Sequence, residues 1–220
     1  MTFDAIIFDL DGTLIDSLDD IMAAGNHAMR TVGRPEHRRE AGKKLAGQGL
    51  PYFIEHALGP DHQHLFDDAI AAHRTYYAEH CGEHSRPFDG IHDLLTALQA
   101  AGQSLNVLSN KPHFATVKDV QSFFSDFVFD QVIGHREGYP PKPDPTSAHE
   151  IREQLGVPAD RIGYVGDTAA DMLTGCAAGF FPVGVTWGFR DRDELEANGA
   201  KIIVDDVSAL QDVLLRTVSA

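Results

Sequence analysis

Ala5-Ile6-Ile7-Phe8 is a short apolar run without alternation, the pattern of a strand buried on both faces of a parallel sheet. It stops at Asp9, and Asp11, Gly12 and Thr13 follow at once. After Ser17 the period changes. Leu18, Ile21, Met22, Gly25, Ala28, Met29 and Val32 share one helical stripe, which Gly33-Arg34-Pro35 ends. Residues 36–46 are polar and basic, Gly47-Gln48-Gly49 reads as a loop, and Tyr52, Phe53, Ala57 and Leu58 predict a short helix. Leu65, Phe66, Ala69, Ile70, His73, Tyr76 and Tyr77 predict an amphipathic helix over 61–81. Residues 17–85 thus carry helical spacing and no strand-like alternation, which predicts a small bundle.

Beyond the turn Pro87-Phe88-Asp89-Gly90 strands and helices alternate. The spacing predicts helices at 91–101, 113–124, 147–155, 169–178, 192–198 and 207–216. It predicts strands at 104–109, 128–133, 161–165, 182–186 and 201–204. Such alternation implies an α/β fold, a doubly wound parallel sheet covered on both faces. An all-helical domain is inserted after its first strand. The expected division is a core of residues 1–16 and 87–220 and a helical cap at 17–86.

Charge narrows the range of partners. The 220 residues hold 33 acidic and 18 basic side chains, a formal net charge of −15. That disfavours nucleic acid and anionic membranes, and an anionic substrate needs concentrated positive charge or a metal to approach. The two cysteines, Cys81 and Cys176, make no disulfide framework. With no leader-like segment and no run long enough to span a bilayer, the expected location is cytoplasmic. Oligomeric state is not legible; monomer and homodimer both stand.

The chemistry lies at strand ends. The first strand gives Asp9-Leu10-Asp11-Gly12-Thr13, the strand at 104–109 gives Ser109-Asn110-Lys111, and the strand at 161–165 gives Gly166-Asp167-Thr168 and then Asp171. The Pro141-Lys142-Pro143-Asp144-Pro145 loop lies between the last two. Each alone is a common turn. Together, at the edge where parallel sheets bind ligands, they indicate one site.

This set resembles the haloacid dehalogenase superfamily of Mg²⁺-dependent phosphohydrolases, across essentially the whole chain, and among them the phosphoglycolate phosphatases. The resemblance implies Asp9 as nucleophile, forming an aspartyl-phosphate, and Asp11 as general acid and base. It implies Mg²⁺ held by Asp9, the Asp11 carbonyl and Asp167, with Asp171 holding a metal-bound water or ligating directly. Ser109 and Asn110 would hold a phosphoryl oxygen, and Lys142 would neutralise charge. Four aspartates and a phosphate dianion outweigh Mg²⁺ and Lys142, so one carboxyl should keep a proton, with Asp11 the one to use it. Gly12 allows close backbone approach, while Thr13 either adds a hydroxyl contact or caps the next helix. Lys111 has two readings, the phosphate region or a pair with Asp167.

In the cap, Gly47 and Gln48 resemble the loop that reaches toward the site. Arg34, Arg38, Arg39, Lys43 and Lys44 read first as a solvated face and second as a grip for a substrate carboxylate. Trp187-Gly188-Phe189 reads as core packing near the binding edge. The twelve histidines form no zinc spacing. The expected substrate is a small phosphorylated metabolite, 2-phosphoglycolate by resemblance. Alternatives are a sugar-phosphate mutase, a phosphatase for another metabolite or pyrophosphate, and a non-catalytic binding relative.

Overall fold

The computed structural model describes residues 3–215. Strand β1 (Ala5–Phe8) is buried along its length and lies inside a parallel sheet of order β5-β4-β1-β6-β7-β8. The other five are β4 (Ser104–Pro112), β5 (Gln131–His135), β6 (Ile162–Gly166), β7 (Phe181–Val185) and β8 (Ile202–Val204). Alternate side chains of β1 serve two cores. Ile6 and Phe8 join Leu94, Leu95 and Leu98 of α5 (Ile91–Ala100) and Leu210 and Leu214 of α10 (Val207–Leu215). Ala5 and Ile7 face the other way, toward Ala148 and Ile151 of α7 (Thr146–Leu155) and Ala178 of α8 (Ala169–Ala178). Period-two side chains between two helical layers are the doubly wound arrangement that the alternation predicts. Each fully buried leucine in these layers contributes about 1.5–3 kcal/mol.

Register turns this packing into a site. Phe8 pairs with Val107 on one side and with Val165 on the other. Asp9, one residue beyond Phe8, and Ser109 and Asp167, two residues beyond Val107 and Val165, therefore emerge at one edge of the sheet.

Between β1 and β4 lie α1 (Leu18–Thr31), α2 (Arg39–Leu45), α3 (Leu50–Leu58) and α4 (Phe66–His80). Leu18, Met22, Met29, Phe53, Ile54 and Ala69 make their shared core, and Phe189 reaches it from the sheet side. The spacing of α1 and α3 depends on Gly25, where a Cβ would lie 2.3 Å from the Phe53 ring. The chain crosses into and out of these helices through a two-stranded antiparallel pair, β2 (Ile15–Asp16) and β3 (Arg86–Pro87). Asp20 ties the crossings together by accepting from the backbone N–H of His84 at 3.0 Å and of Ser85 at 2.9 Å.

Several expected elements move. The strand placed at 128–133 is β5, displaced toward the C-terminus, because Val128 is 66% exposed and Phe127 and Phe129 pack on the core from a loop. Strand β4 runs on to Pro112 through an irregularity after Leu108, so Ser109-Asn110-Lys111 belongs to the strand. Helix α2 forms where only a polar, basic segment was read; Gly42 is its one buried residue, so it has no apolar stripe to show. The start of the helix expected over 61–81 is a 3₁₀ segment, Pro60–Leu65, with α4 beginning at Phe66. The end of the last helix, residue 216, lies outside the described residues.

Candidate active site

Lys142 is the hub of the site. Its Nζ lies 2.9 Å from Asp9 Oδ1 and 2.6 Å from Asp171 Oδ1, and it donates to the Leu108 carbonyl at 3.1 Å. Asn110 holds the lysine's backbone in place. Its Oδ1 accepts from Lys142 N at 2.8 Å and its Nδ2 donates to Lys142 O at 3.2 Å. The amide expected to hold a phosphoryl oxygen is thus engaged with the Lys142 loop, with a further contact to Gly47 O at 3.3 Å. Burial disfavours the Lys142 charge, but Asp171 and Asp9 outweigh it and hold the pKa well above the usual value.

Asp9, Asp167 and Asp171 are all buried, and one oxygen from each lies within 4.8 Å of the others. Burial, then the Asp171 charge, pushes Asp9 up to about 7 against the pull of Lys142. Asp167 is pushed well above the carboxylate range by burial and by its two acidic neighbours. Hard anionic oxygens crowded in a dry pocket fit a divalent cation such as Mg²⁺, whose charge relieves that crowding. The Asp11 carboxylate stands outside this cluster.

The aspartates are held by local devices. Asp171 Oδ2 accepts from Thr168 N at 3.0 Å and from Thr168 Oγ1 at 2.6 Å, so a capping box at the start of α8, rather than helical spacing from Asp167, aims it at the site. Asp167 accepts from Phe189 N at 2.7 Å and from Thr13 Oγ1 at 3.1 Å. Thr13 therefore orients Asp167; the helix that follows has Ser17 at its N-cap. Gly12 has φ 83°, and a Cβ there would sit 2.3 Å from Asp167 Oδ2. Trp187-Gly188-Phe189 is a buttress for this carboxylate as well as packing. Trp187 Nε1 donates to Thr13 O at 3.1 Å, and Phe189 joins the core of the helical insert.

Lys111 does not pair with Asp167, although it lines the same cavity as Asp9, Asp11 and Ser109. It pairs with Asp11 at 2.7 Å and Asp119 at 2.8 Å. The charge count over four aspartates omitted this lysine, and within the cluster the crowding raises Asp9 and Asp167. Asp119 lies on α6 (His113–Phe123), and no local pattern joins it to the strand ends.

Asp9, Asp11 and Ser109 form the floor of a cavity of about 70 Å³, with Phe53, His73 and Tyr77 facing them from the helices. Gly47 and Gly49 line it, while Gln48 is exposed and does not. None of the five basic residues between Arg34 and Lys44 lines it either. Arg39 is engaged with Asp19 at 2.6 Å, and Lys43 Nζ donates to Gly188 O at 3.2 Å.

Sequence reasoning passed over Arg190. Its guanidinium donates to the carbonyls of Lys43, of Lys44 at 3.2 Å and of Ala46 at 2.9 Å, satisfying the open C-terminal end of α2. This fastens the helical insert to the sheet domain over the cavity, and no one-dimensional pattern marks a lone arginine for it. Arg190→Ala is expected to raise KM about 3–10-fold and to speed chymotryptic cleavage of the insert, with a smaller change in kcat. Steady-state kinetics and a proteolysis time course check both.

The family model described as haloacid dehalogenase-like hydrolase matches residues 6–185. The phosphoglycolate phosphatase of Pseudomonas fluorescens (strain Pf0-1) is 30% identical over 213 residues, 93% of this chain and 77% of that protein. That of Pseudomonas putida KT2440 is 31% identical over 211 residues, again 93% and 77%. A solved structure from Lactobacillus delbrueckii subsp. bulgaricus, a candidate phosphoglycolate phosphatase, superposes with a TM-score of 0.93 at 32% identity, covering 98% of this chain and 99% of its own. The chain belongs to the haloacid dehalogenase-like hydrolase family.

Proposed function

We propose that this hydrolase releases phosphate from 2-phosphoglycolate through an aspartyl-phosphate on Asp9, with Mg²⁺ as its metal. The observation that carries this reading is the meeting of Asp9, Lys142, Asp167 and Asp171 in one buried cluster, beneath a cavity closed by helices. Asp9 and Asp167 hold the ion, and Asp171 positions both Lys142 and the Asp167 side of the pocket. When bound, Mg²⁺ supplies positive charge to the phosphoryl oxygens.

The Asp9 carboxylate attacks phosphorus, the ester P–O bond breaks, and Asp11 gives its proton to the departing alkoxide. Asp11 then takes a proton from the water that hydrolyses the acyl-phosphate and regenerates Asp9. Lys111 and Asp119 fix the Asp11 carboxyl through both transfers. Lys142 spreads its charge over nucleophile and phosphoryl group, and Ser109 offers a hydroxyl to a phosphoryl oxygen. Residues 17–86, turning on β2 and β3, exclude water in the first step.

Phosphate release from 2-phosphoglycolate, compared with a panel of phosphorylated metabolites by kcat/KM, tests the substrate. Transfer of the phosphoryl group to a second hydroxyl, with no phosphate released, would replace this reading by the mutase. Chelation is expected to silence turnover and added Mg²⁺ to restore it; activity that survives excess chelator sinks the metal assignment.

A further inference from the structure

At the cavity's far end, formed by α1, α3 and α4, the one lysine near by is Lys111, which reaches over the Tyr77 ring from β4 and is paired with Asp11 and Asp119. The arginines and lysines of the helical insert are absent from its lining. What stands there is His73. It is 7% exposed, lines the cavity, and its Nδ1 is buried with no hydrogen-bond partner. The ring is stacked on Tyr77 at a centroid distance of 5.3 Å and tilted against Phe53 at 6.4 Å. These rings fix its plane and supply no acceptor. A buried ring nitrogen left without a partner is costly, and a ligand that provides the partner removes that cost. Burial, then Arg74 and His27, lowers the His73 pKa to about 4, so the ring carries one N–H donor and one acceptor at neutral pH.

A second feature meets the same space. Gly49 and Leu50 line the cavity where the nine-residue helix α3 begins. In that first turn Pro51 has no N–H and Phe53 N donates to Gly49 O at 3.1 Å, which leaves the N–H groups of Leu50 and Tyr52 without a partner in the helix and carrying partial positive charge. A neutral donor and a helix N-terminus together favour a compact, negatively charged acceptor.

The geometry points to His73 as the residue that selects the substrate, its ring N–H and the N-terminus of α3 receiving a carboxylate on the leaving group. The substrate class is then a small phosphorylated 2-hydroxy carboxylate. This role deepens the phosphoglycolate reading above and rests on it. Recognition runs through hydrogen bonds in a dry pocket, where an analogue lacking the acceptor leaves the donor unpaired.

Ethyl phosphate keeps the two-carbon chain of 2-phosphoglycolate and carries a methyl group where that ester has its carboxylate. With saturating Mg²⁺, the wild-type ratio of kcat/KM for 2-phosphoglycolate over ethyl phosphate is expected to be high. His73→Leu should lower that ratio about 10–100-fold, mainly through KM for 2-phosphoglycolate. His73→Gln keeps an N–H donor and should recover part of it. A ratio unchanged in His73→Leu, or a glutamine variant no better than leucine, overturns the role of His73 and leaves the phosphatase reading standing. A wild-type enzyme that cleaves both esters equally overturns the phosphoglycolate reading and this role together. Should His73→Leu not fold, nitrogen NMR of the wild-type ring decides: a His73 shift on adding glycolate and none with ethylene glycol is expected, and no shift with glycolate overturns the assignment.

Discussion

Asp9→Asn is expected to abolish phosphate release and, in metal-free protein at pH 8, to raise the melting temperature. The first effect follows from the role proposed for Asp9 as nucleophile. An amide forms no acyl-phosphate, and loss of roughly 10⁴-fold or more in kcat is the scale for removing such a group. The second follows from burial. The carboxyl titrates near 7 in the folded chain against 3.8 ordinarily. Between those two values the unfolded chain has released a proton that the folded chain still holds, so stability falls as pH rises, and above 7 the whole penalty is present. Asparagine carries no such penalty. The pull of Lys142 is already part of that value. Each pKa unit is about 1.4 kcal/mol, so the gain is on the order of 4 kcal/mol at most. For a chain of this size that is up to roughly 8–16 °C. The difference should narrow at pH 5, where the folded chain still holds the Asp9 proton, and close only as pH falls to 3.8. Saturating Mg²⁺ should reverse the order, because the ion stabilises only the chain that binds it well. Melting curves at pH 5 and pH 8, with chelator and with Mg²⁺, read all of this. An Asn variant that melts lower than wild type at pH 8 without metal removes the claim that Asp9 is held under electrostatic stress.

How far this site could be read in advance depended on the range of each interaction. Ala5–Phe8 announces a doubly buried strand because every side chain in it is apolar, and Asp9 then marks the strand's end. Asp167 and Asp171 share a short segment that opens a helix, so their joint presence was legible, although the capping box through Thr168 was not. The contacts that complete the site join distant segments. Lys111 on β4 meets Asp11 from beyond β1, and Arg190 closes α2 from beyond β7. Helix α2 itself lacks an apolar stripe, since it is held by those carbonyl contacts and by the close fit of Gly42 against Met22. Periodicity registers burial along one element; it carries no signal for a polar contact made between two.

Gly188→Ala is expected to weaken Mg²⁺ binding about 10–100-fold, the usual range when a metal ligand's support is disturbed. Gly188 has no positive φ, so the backbone accepts alanine and the obstacle is space. A Cβ there would stand 2.2 Å from Asp167 Oδ2 and 2.4 Å from the Gly12 carbonyl. Neither can retreat freely. Asp167 is bound on both oxygens by Phe189 N and Thr13 Oγ1, and Gly12 belongs to the turn that presents Asp9 and Asp11. The strain therefore reaches Asp167, the proposed metal ligand, first. Turnover at low Mg²⁺ should fall steeply and recover in part as Mg²⁺ is raised, a response that loss of a proton-transfer group does not give. Trp187→Phe separates support from packing. It loses the indole bond to Thr13 O at 3.1 Å and keeps a ring beside Phe88, so only a few-fold change in Mg²⁺ affinity is expected. Calorimetric titration of both variants with Mg²⁺ measures the contrast. Wild-type affinity in Gly188→Ala would mean that Asp167 does not bind the ion, and the cluster of three aspartates would then have to be read as a charge network around Lys142.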